Sequence, residues 1–434
     1  MFDAVIIGAG PAGYTCALSV VANGGKACIV EKNGLGGTCT QRGCIPTKYL
    51  HSMADIIRRV KNAKKHGINS SIELNYTEMR NGMQKSVSKL ADGIKMLLTK
   101  KNVEIIHGTA MIKSANEVIV DDRILSTKNI VIATGSSPIC LPRQRFGGRI
   151  LSSDSIFEIE TLPKSIVVVG GGYSGCEFSA ILNVLGCKIW IVEMEKRLLP
   201  TIPEKIGETV GKYMKLDGIN LMTGSKVEKI DQDSVYVNGE KILAEKVLIC
   251  IGRKANINSD ELKSIGIAHD DKCIIVNEKM QTSIPNIYAI GDVTGKFELA
   301  HVAAKQGEVA ADNIMGKNST IDYSAIPMCV FTFPEVAFVG NCEGEGKSFP
   351  LIASAKATCL SETRGFIDVF EEHGIISGVI IVGPHAGEIL GEATLAVKQK
   401  MKCSEIIDTI HAHPTLSEAF VDAVRMTEEK SIHI

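Results

Sequence analysis

Apolar runs that end in glycine recur along the first half of the chain and predict buried strands that lead into tight turns. The run at residues 5–7 is followed by three glycines, an apolar helical segment, a second apolar run at residues 27–30 and an acid. The same order returns 162 positions later, at residues 167–193. The glycines and acids are Gly8, Gly10, Gly13 and Glu31 in the first copy, and Gly170, Gly172, Gly175 and Glu193 in the second. The pattern therefore predicts two strand–turn–helix–strand units.

The spacing within each copy is typical of dinucleotide-binding turns. Glycine permits the tight turn, lets backbone N–H groups approach a pyrophosphate at the positive end of the helix, and allows close packing of helix on strand. In both copies the acid follows the third glycine by 18 residues, where a carboxylate accepts hydrogen bonds from ribose hydroxyls. Such a carboxylate repels a 2′-phosphate, so Glu193 favours NAD over NADP. One motif alone would also fit an ordinary strand–turn–helix, whereas two copies with their acids predict dinucleotide binding.

Three later apolar runs also end in glycine and extend this layout. Residues 131–135, which end in Thr134 and Gly135, and residues 247–252, which end in Gly252, predict the closing strands of the two units. A third run places Asp292 at a strand end, although an aspartate in an ordinary turn gives the same pattern. We expect an α/β protein with two Rossmann-like dinucleotide-binding domains. The expected domain ranges are 1–140, 141–257, 258–325 and 326–434, the last without a nucleotide motif.

Composition and charge narrow the functional classes. The 434 residues are 45% hydrophobic with a formal net charge of −1, and no apolar run reaches the length of about 18 residues that a membrane span needs. We therefore expect no nucleic-acid partner and no membrane partner. The first residues lack a basic region and a cleavage site, which favours a cytoplasmic protein. Eleven of the 13 cysteines are scattered singly, as expected in a reducing compartment.

The two other cysteines, Cys39 and Cys44, lie in a glycine-rich segment directly after the first nucleotide motif. Five residues of regular helix rise about 7.5 Å, which exceeds the usual Cα–Cα range of a disulfide. The segment must therefore bend, and Gly43 and Pro46 permit this. In a reducing compartment such a pair is more often redox-active than structural. A zinc site would need two further ligands at close spacing, and the sequence has no second close Cys or Cys/His pair.

A dithiol enzyme also needs a base that accepts a thiol proton near neutral pH, and histidine is suited to this task. The segment 411–420 contains two histidines and Glu418. A histidine before proline, such as His413, is by itself more often a loop residue than a catalyst. With the cysteine pair upstream, the catalytic interpretation becomes the stronger one.

Together these motifs resemble those of the pyridine nucleotide–disulfide oxidoreductases, and the resemblance covers the whole chain. It is carried by Gly-Gly-Thr-Cys, four residues, and Cys-Ile-Pro-Thr-Lys at 36–48 after a nucleotide motif. It implies that the N-terminal domain binds FAD, the second domain binds NAD, and the C-terminal α/β domain forms a homodimer. It assigns Cys39 as the thiol that attacks substrate and Cys44 as the thiol beside the flavin. His413 would be the base, with Glu418 as its orienting carboxylate.

The resemblance also assigns residues to two cofactor sites and none to a metal. The FAD site would contain Gly8, Gly10, Gly13, Glu31, Lys48, Thr134, Gly135, Asp292 and Ala300. The NAD site would contain Gly170, Gly172, Tyr173, Gly175, Glu177, Glu193 and Gly252. Glu31 would bind the adenosine ribose of FAD, and Lys48 would lie by flavin N5 and pair with Glu177. Tyr173, between two glycines of the second motif, is positioned to cover the nicotinamide pocket.

Within the family, the segments 331–337, 383–388 and 411–420 resemble dihydrolipoamide dehydrogenases more than glutathione reductases. The implied activity is FAD-dependent oxidation of protein-bound dihydrolipoamide with reduction of NAD. The lipoyl group would belong to a 2-oxoacid dehydrogenase complex or to the glycine cleavage system, and the active sites would be shared between the two chains of the dimer. The alternatives are an NAD(P)H-dependent reductase of a small disulfide and a flavin-containing structural subunit of a multienzyme complex.

Two segments depart from the family pattern. Where the family usually has Leu-Asn-Val-Gly between the cysteines, this chain has Thr-Gln-Arg-Gly at 40–43. Arg42 therefore puts a cation near the dithiol, where it could stabilise a thiolate or select an anionic disulfide. The segment 341–350, in the expected interface domain, is shorter than in the family.

Overall fold

The computed structural model describes residues 1–429, 432 and 434. The chain divides into two compact units, each built from two stretches of sequence. Residues 1–162 and 251–321 form the first unit, and residues 163–250 and 322–434 form the second. The domain boundaries near 140, 257 and 325 stay predictions.

Helices and strands alternate along much of the chain, as expected for an α/β protein. The helices are α1 Pro11–Ala22, α2 Gly37–Arg42, α3 Cys44–Ala63, α4 Tyr76–Lys100, α5 Tyr173–Val184, α6 Glu204–Leu216, α7 Ser259–Ile265, α8 Ala300–Ile314, α9 Ala355–Leu360, α10 Ala386–Lys398, α11 Cys403–Asp408 and α12 Ser417–Thr427. The strands are β1 Phe2–Ile7, β2 Ala27–Glu31, β3 Glu104–His107, β4 Ala110–Ser114, β5 Glu117–Val120, β6 Arg123–Ile132, β7 Ser136–Pro138, β8 Ile150–Ser152, β9 Ser165–Val169, β10 Lys188–Val192, β11 Asn220–Met222, β12 Val227–Ile230, β13 Ser234–Val237, β14 Glu240–Leu243, β15 Lys246–Ile249, β16 Arg253–Ala255, β17 Ile287–Ala289, β18 Met328–Val330, β19 Glu335–Gly340, β20 Lys347–Pro350, β21 Phe366–Glu372 and β22 Ile375–Gly383.

The main sheet of the first unit has the strand order β3-β2-β1-β6-β5-β4, and β17 also pairs with β6. The strands β2, β1, β6 and β17 run parallel. Their continuous apolar runs are buried, as Val5, Cys28 and Ile130 illustrate with no solvent exposure, because helices cover parallel sheets on both faces. The predicted closing strand at residues 131–132 is the end of β6.

The main parallel sheet of the second unit contains the strands β11-β10-β9-β15. Val167, Ile191 and Leu248 in its centre are fully buried. The predicted repeat of strand, glycine turn, helix and strand is therefore present in both units. A second sheet in this unit is the antiparallel β12-β13-β14 meander.

The C-terminal part of the second unit is an antiparallel sheet with strand order β18-β19-β22-β21-β20. Helices α10 and α12 pack on it, and Phe349 and Phe420 fill the core between sheet and helices. The segment 341–350, which we expect to be shorter than in the family, ends in β20, an edge strand that pairs with β21. Among the described residues, no helix is long and apolar enough to cross a membrane.

Candidate active site

The first glycine turn follows β1 and packs tightly against the start of α1. Gly8 has a φ of 108°, a conformation that side chains rarely adopt. A Cβ at Gly13 would lie 1.9 Å from the carbonyl oxygen of Gly8, so only glycine lets the helix approach this closely. At Gly10 a Cβ would meet nothing nearer than the Cα of Gly37, 4.0 Å away. The turn therefore leaves room above Gly10, at the helix end that attracts phosphate.

Glu31 ends β2 and reaches back to this turn. Its Oε2 accepts a hydrogen bond of 2.7 Å from the N–H of Ala9, and its Oε1 accepts one of 2.7 Å from the N–H of Asn33. These bonds hold the carboxylate at the edge of the turn, and a carboxylate has further acceptor capacity for a ribose hydroxyl. The role of Glu31 in ribose binding fits this position and stays a prediction.

The two cysteines lie on helices that meet at Gly43. Cys39 is in the short helix α2, and Cys44 is the first residue of the 20-residue helix α3. A Cβ at Gly43 would lie 2.9 Å from the carbonyl oxygen of Thr38, so the change of direction depends on glycine. The bend that the cysteine spacing requires thus occurs at Gly43. It brings the two free thiols within hydrogen-bonding distance.

The surroundings of the thiol pair make the two sulfurs unequal. The hydrogen bond with Cys44 is the main cause that raises the pKa of Cys39, followed by burial, while Lys48 lowers this pKa and Asp292 raises it. Cys44 lies at the positive N-terminal end of α3, which stabilises a thiolate. Cys39 therefore keeps its proton and needs a base, whereas Cys44 is suited to carry negative charge. The described residues contain no group of three His, Cys, Asp or Glu side chains that could hold a metal ion.

Arg42, the last residue of α2, pairs with a carboxylate. Its Nε lies 3.1 Å from Asp154, whose other oxygen accepts a hydrogen bond of 3.0 Å from Arg253. Arg253 also donates to the hydroxyl of Ser136 at 2.8 Å, and Ser136 donates to Asp292 at 2.5 Å. The cation predicted near the dithiol is thus compensated, and alternating charges link α2 to Asp292.

The turn at Asp292 belongs to the first unit, because β17 pairs in parallel with β6. Gly291 has a φ of 77°, and its N–H donates a hydrogen bond of 2.6 Å to a buried glutamine of α8. Ala300 is the first residue of that helix. The hydroxyl of Thr134 donates a hydrogen bond of 2.8 Å within the same unit, and Gly135 beside it has a φ of 68°. All residues predicted for the FAD site therefore lie in the first unit.

The second glycine turn, after β9, repeats the geometry of the first. Gly170 has a φ of 102°, and a Cβ at Gly175 would lie 1.9 Å from the carbonyl oxygen of Gly170. At Gly172 a Cβ would meet no atom within 4 Å. The carboxylate of Glu193 accepts a hydrogen bond of 2.6 Å from the N–H of Gly171. This turn therefore has the same open space and the same acid at its edge.

The loop after Glu193 contains the two basic residues that could bind a 2′-phosphate. The guanidinium of Arg197 donates to the carbonyl oxygens of residues 199, 200 and 202 at 2.8, 3.0 and 2.9 Å. Arg197 is thus used within the loop, whereas Lys196 is exposed. This arrangement favours NAD, because the guanidinium of Arg197 is engaged within the loop and Lys196 is the one of the two that is exposed.

Three other residues predicted for the NAD site have defined surroundings. Tyr173 begins α5, and burial raises its pKa to about 12. Glu177, in the same helix, is 8% exposed and accepts a hydrogen bond of 3.0 Å from the N–H of Phe331. Gly252 has a φ of 113° and lies in the first unit. The pairing of Glu177 with Lys48 stays a prediction.

His413 is an exposed histidine whose ring is oriented by a carboxylate. Its Nδ1 lies 3.0 Å from Oε1 of Glu418, whose Oε2 accepts a hydrogen bond of 2.9 Å from the N–H of Thr415. Because the carboxylate accepts, Nδ1 carries the hydrogen and Nε2 carries the lone pair. The side chain is 72% exposed, so Nε2 can accept a proton from a molecule outside the loop.

His411, two residues earlier, differs from His413 because both ring nitrogens face acceptors. Nε2 lies 2.7 Å from Glu392, and Nδ1 lies 2.9 Å from the carbonyl oxygen of Thr409. Neither a carbonyl nor an ionised carboxylate donates, so this arrangement favours a ring with hydrogen on both nitrogens. Burial lowers the pKa of His411, but these two bonds raise it overall. His411 therefore holds a proton more readily than an ordinary histidine does.

The structure places the thiols, Lys48 and Asp292 in the first unit, and His413 with Glu418 in the second. Sequence reasoning missed the ion pairs of Asp154 and Arg253 and the partner of His411. Only Arg253 had a local signal, because it directly follows the glycine that ends a predicted strand.

Comparison with known proteins decides the family. The family described as pyridine nucleotide-disulphide oxidoreductase matches residues 2–307, and its dimerisation domain matches residues 326–424. The chain belongs to this family.

Two relatives of this pyridine nucleotide-disulphide oxidoreductase, both named dihydrolipoyl dehydrogenase, match over the full chain. The relative from Chlamydia pneumoniae is 36% identical over 453 residues, which covers 100% of this chain and 98% of the relative. The relative from Geobacillus stearothermophilus is 36% identical over 457 residues, which covers 100% of this chain and 97% of the relative. The fold is similar to that of LpdA from Mycobacterium tuberculosis, with a TM-score of 0.90 and 24% identity over 98% of this chain and 99% of that one. It is also similar to the HOCl-induced flavoprotein disulfide reductase RclA from Escherichia coli, with a TM-score of 0.88 and 23% identity over the same shares.

The two glycine turns fit the two dinucleotides of the family. Each turn has a helix N-terminus, an acid fixed at its edge, and open space where the backbone would approach a pyrophosphate. The turn in the first unit also adjoins the thiol pair, because α2 follows β2 by only a short connection. FAD at the first turn and NAD at the second are therefore consistent with the residues present.

Proposed function

We propose that this protein oxidises protein-bound dihydrolipoyl groups to lipoyl groups and passes the electrons to NAD. The observation that carries the proposal is the thiol pair: Cys39 keeps its proton, and Cys44 lies at the positive end of α3. The full-length relatives named dihydrolipoyl dehydrogenase support the same reaction. Glu193 and the internal bonds of Arg197 support NAD as the acceptor.

Two cofactors complete the chemistry. Bound FAD would accept the electron pair from the reduced cysteines, and NAD would carry it away as hydride. The FAD site would be formed by Gly8, Gly10, Gly13, Glu31, Lys48, Thr134, Gly135, Asp292 and Ala300. The NAD site would be formed by Gly170, Gly172, Tyr173, Gly175, Glu177, Glu193 and Gly252.

The protein residues divide the thiol–disulfide exchange between them. His413 accepts a proton at Nε2 from one thiol of the substrate, and the resulting thiolate attacks the Cys39 sulfur of the Cys39–Cys44 disulfide. That bond breaks, Cys44 leaves as a thiolate at the start of α3, and a mixed disulfide joins Cys39 to the substrate. The second substrate thiol then displaces Cys39, its proton passes to the departing Cys39 sulfur, and the lipoyl disulfide closes. Glu418 stabilises the imidazolium and keeps Nε2 directed at the thiols.

We further propose a homodimer in which each site combines the cysteines of one chain with His413 and Glu418 of the other. The match of residues 326–424 to the dimerisation domain supports the homodimer. In a mixed dimer of Cys39→Ser and His413→Gln chains, one site would then hold both defects and the other would be intact. Activity should return in the isolated mixed dimer. A mixed dimer as inactive as its parents would disprove the sharing.

The proposed reaction is tested by steady-state assays of the purified holoenzyme. Dihydrolipoamide with NAD should be turned over much faster than glutathione disulfide with NADPH. Faster turnover of the second pair would favour the small-disulfide reductase instead. A flavin-bound protein that turns over neither pair would be the structural subunit. Lipoyl proteins of a 2-oxoacid dehydrogenase complex and of the glycine cleavage system, assayed side by side, would identify the carrier.

A further inference from the structure

Positive charge is concentrated in one segment of this nearly neutral chain. Residues 44–101 contain 12 Lys and Arg against 4 Asp and Glu, a balance of +8. The rest of the chain contains 36 Lys and Arg against 45 Asp and Glu, a balance of −9. The segment consists of α3, α4 and their connection, which we call the basic hairpin. The net charge of −1 is therefore the sum of a strongly positive segment and a negative remainder of the chain.

The basic hairpin adjoins the thiol pair directly. Cys44 is its first residue, and α4 packs against both α2 and α3. A Cβ at Gly82 of α4 would lie 2.1 Å from the hydroxyl of Tyr49 in α3, so the helices cross closely at that glycine. A Cβ at Gly36, before α2, would lie 3.0 Å from Ile94 of α4. The inner face of α4 is thus occupied by the helices that carry the cysteines.

The outer face of the hairpin presents uncompensated lysines. Six exposed lysines form no ion pair with any described residue: Lys64, Lys85, Lys89, Lys95, Lys100 and Lys101. Two of them lie on one open face of α4, together with Asn81, Gln84, Ser88 and Asp92. A folded protein usually intersperses surface charges of both signs. A polar helix face with an excess of positive charge is suited to an anionic partner.

We infer that the basic hairpin is the docking surface for an acidic protein domain that carries the lipoyl group. This inference rests on the proposed function and names the kind of carrier that the enzyme accepts. A lipoyl group reaches the thiols only if its carrier comes close to Cys44, and the hairpin begins at that residue. Opposite charges on the two surfaces would steer the encounter and orient the carrier. A single-stranded nucleic acid would also meet the positive charge, but this face of α4 contains no aromatic side chain on which bases could stack.

The test compares a small substrate with a carrier-bound one. The holoenzyme is assayed with free dihydrolipoamide, which has no net charge, and with a dihydrolipoylated domain of net negative charge. In Lys85→Glu/Lys89→Glu, the KM for the acidic domain should rise about tenfold, since electrostatic steering typically changes association rates by 10-fold or more. The KM for free dihydrolipoamide should stay unchanged. Added salt should weaken the parent enzyme's use of the acidic domain and narrow the difference between parent and variant.

A matched control makes the same charge change in the first unit but outside the hairpin. Lys263→Glu/Lys272→Glu replaces two exposed lysines and should leave both KM values near those of the parent. An unchanged KM for the acidic domain in the hairpin variant would overturn the inference, and so would an equal rise with both substrates. Tight binding of a duplex oligonucleotide that is lost in the hairpin variant, without any effect on the acidic domain, would replace it with a nucleic-acid site. Failure of the parent to oxidise free dihydrolipoamide would instead refute the proposed function.

Discussion

The two glycine turns of this protein have the same backbone but are followed by different segments. Both precede a helix of 12 residues, α1 or α5. In both, the position for a Cβ on the third glycine lies 1.9 Å from the first glycine's carbonyl oxygen. In both, a glutamate accepts a hydrogen bond from the turn, at 2.7 Å for Glu31 and 2.6 Å for Glu193. The local sequence thus produces one nucleotide-binding geometry twice.

The segments after the two acids differ in chemistry. After Glu31 the chain enters α2 and α3, which carry the thiol pair. After Glu193 it enters a loop that Arg197 closes by hydrogen bonds to three of its carbonyl groups. The difference teaches that binding resides in the repeated turn, whereas reactivity is added by the segment that follows it. This division of roles can be tested by changes made in equivalent parts of the two units.

The largest effect is expected from the loss of a thiol in the first unit. Cys39→Ser removes the sulfur that forms the mixed disulfide, so turnover with dihydrolipoamide should fall by about 10⁴-fold or more, as when other catalytic nucleophiles are removed. The matched change in the second unit is Cys176→Ala in α5, which alters a buried thiol and should leave most activity. Steady-state rates at equal FAD content compare the two variants. A comparable loss of turnover in Cys176→Ala would contradict the assignment of reactivity to the segment after the first turn.

The next effect concerns His413, the proposed base, which lies in the second unit. His413→Gln should reduce turnover at neutral pH by about 10²–10⁴-fold. Without this base the substrate thiol has to ionise unaided, and its thiolate fraction increases as pH rises toward the usual thiol pKa of about 8.5. The variant's rate should therefore climb with alkaline pH well beyond the point where the parent's rate levels off. His269→Gln, outside the proposed site, is the control. A flat pH profile for the His413 variant would contradict the proton transfer.

A smaller effect should show which of the two cofactors depends on each glycine turn. Gly13→Ala and Gly175→Ala each place a methyl group against a carbonyl oxygen, and such overpacking costs about 1–3 kcal/mol. Gly13→Ala should lower the FAD content of the purified protein. Gly175→Ala should keep FAD but raise the KM for NAD about tenfold, in line with that cost. Absorbance spectra and NAD titrations measure the two losses. If both variants lost the same cofactor, the assignment of one cofactor to each turn would be wrong.

The smallest effect is expected at the acid of the second turn. Glu193→Gln keeps the shape of the side chain but removes its charge, so it weakens a charge-assisted bond to ribose and the repulsion of a 2′-phosphate. The KM for NAD should rise about fivefold, because a hydrogen bond to a charged group exceeds one to a neutral group by about 1 kcal/mol. The preference of the enzyme for NAD over NADP should become smaller. The equivalent Glu31→Gln should not change the choice between NAD and NADP. If the Glu193 variant kept the parent's preference for NAD over NADP, the assignment of that preference to Glu193 would be wrong, and Lys196 would be the next residue to change.

The sequence by itself determined the features that depend on neighbouring residues. The two turns follow from glycines that need left-handed backbone or close contact, and their acids follow at a fixed spacing along β2 and β10. The bend between the cysteines follows from their separation and from Gly43. Full-length motifs also carried the family resemblance that the comparisons confirmed. Such features are predictable because steric limits on a short stretch of backbone do not depend on the rest of the fold.

Only the tertiary structure decided which distant charges meet. The hydroxyl of Ser136 and the carboxylate of Asp292 are 156 positions apart, and they meet because β17 returns to the sheet beside β6. Arg42, between the two cysteines, is compensated by Asp154, and the bond to Glu392 of α10 raises the pKa of His411. Local sequence cannot specify these pairs, because strand order and helix packing set the distance between their side chains, and Coulomb energy depends on that distance.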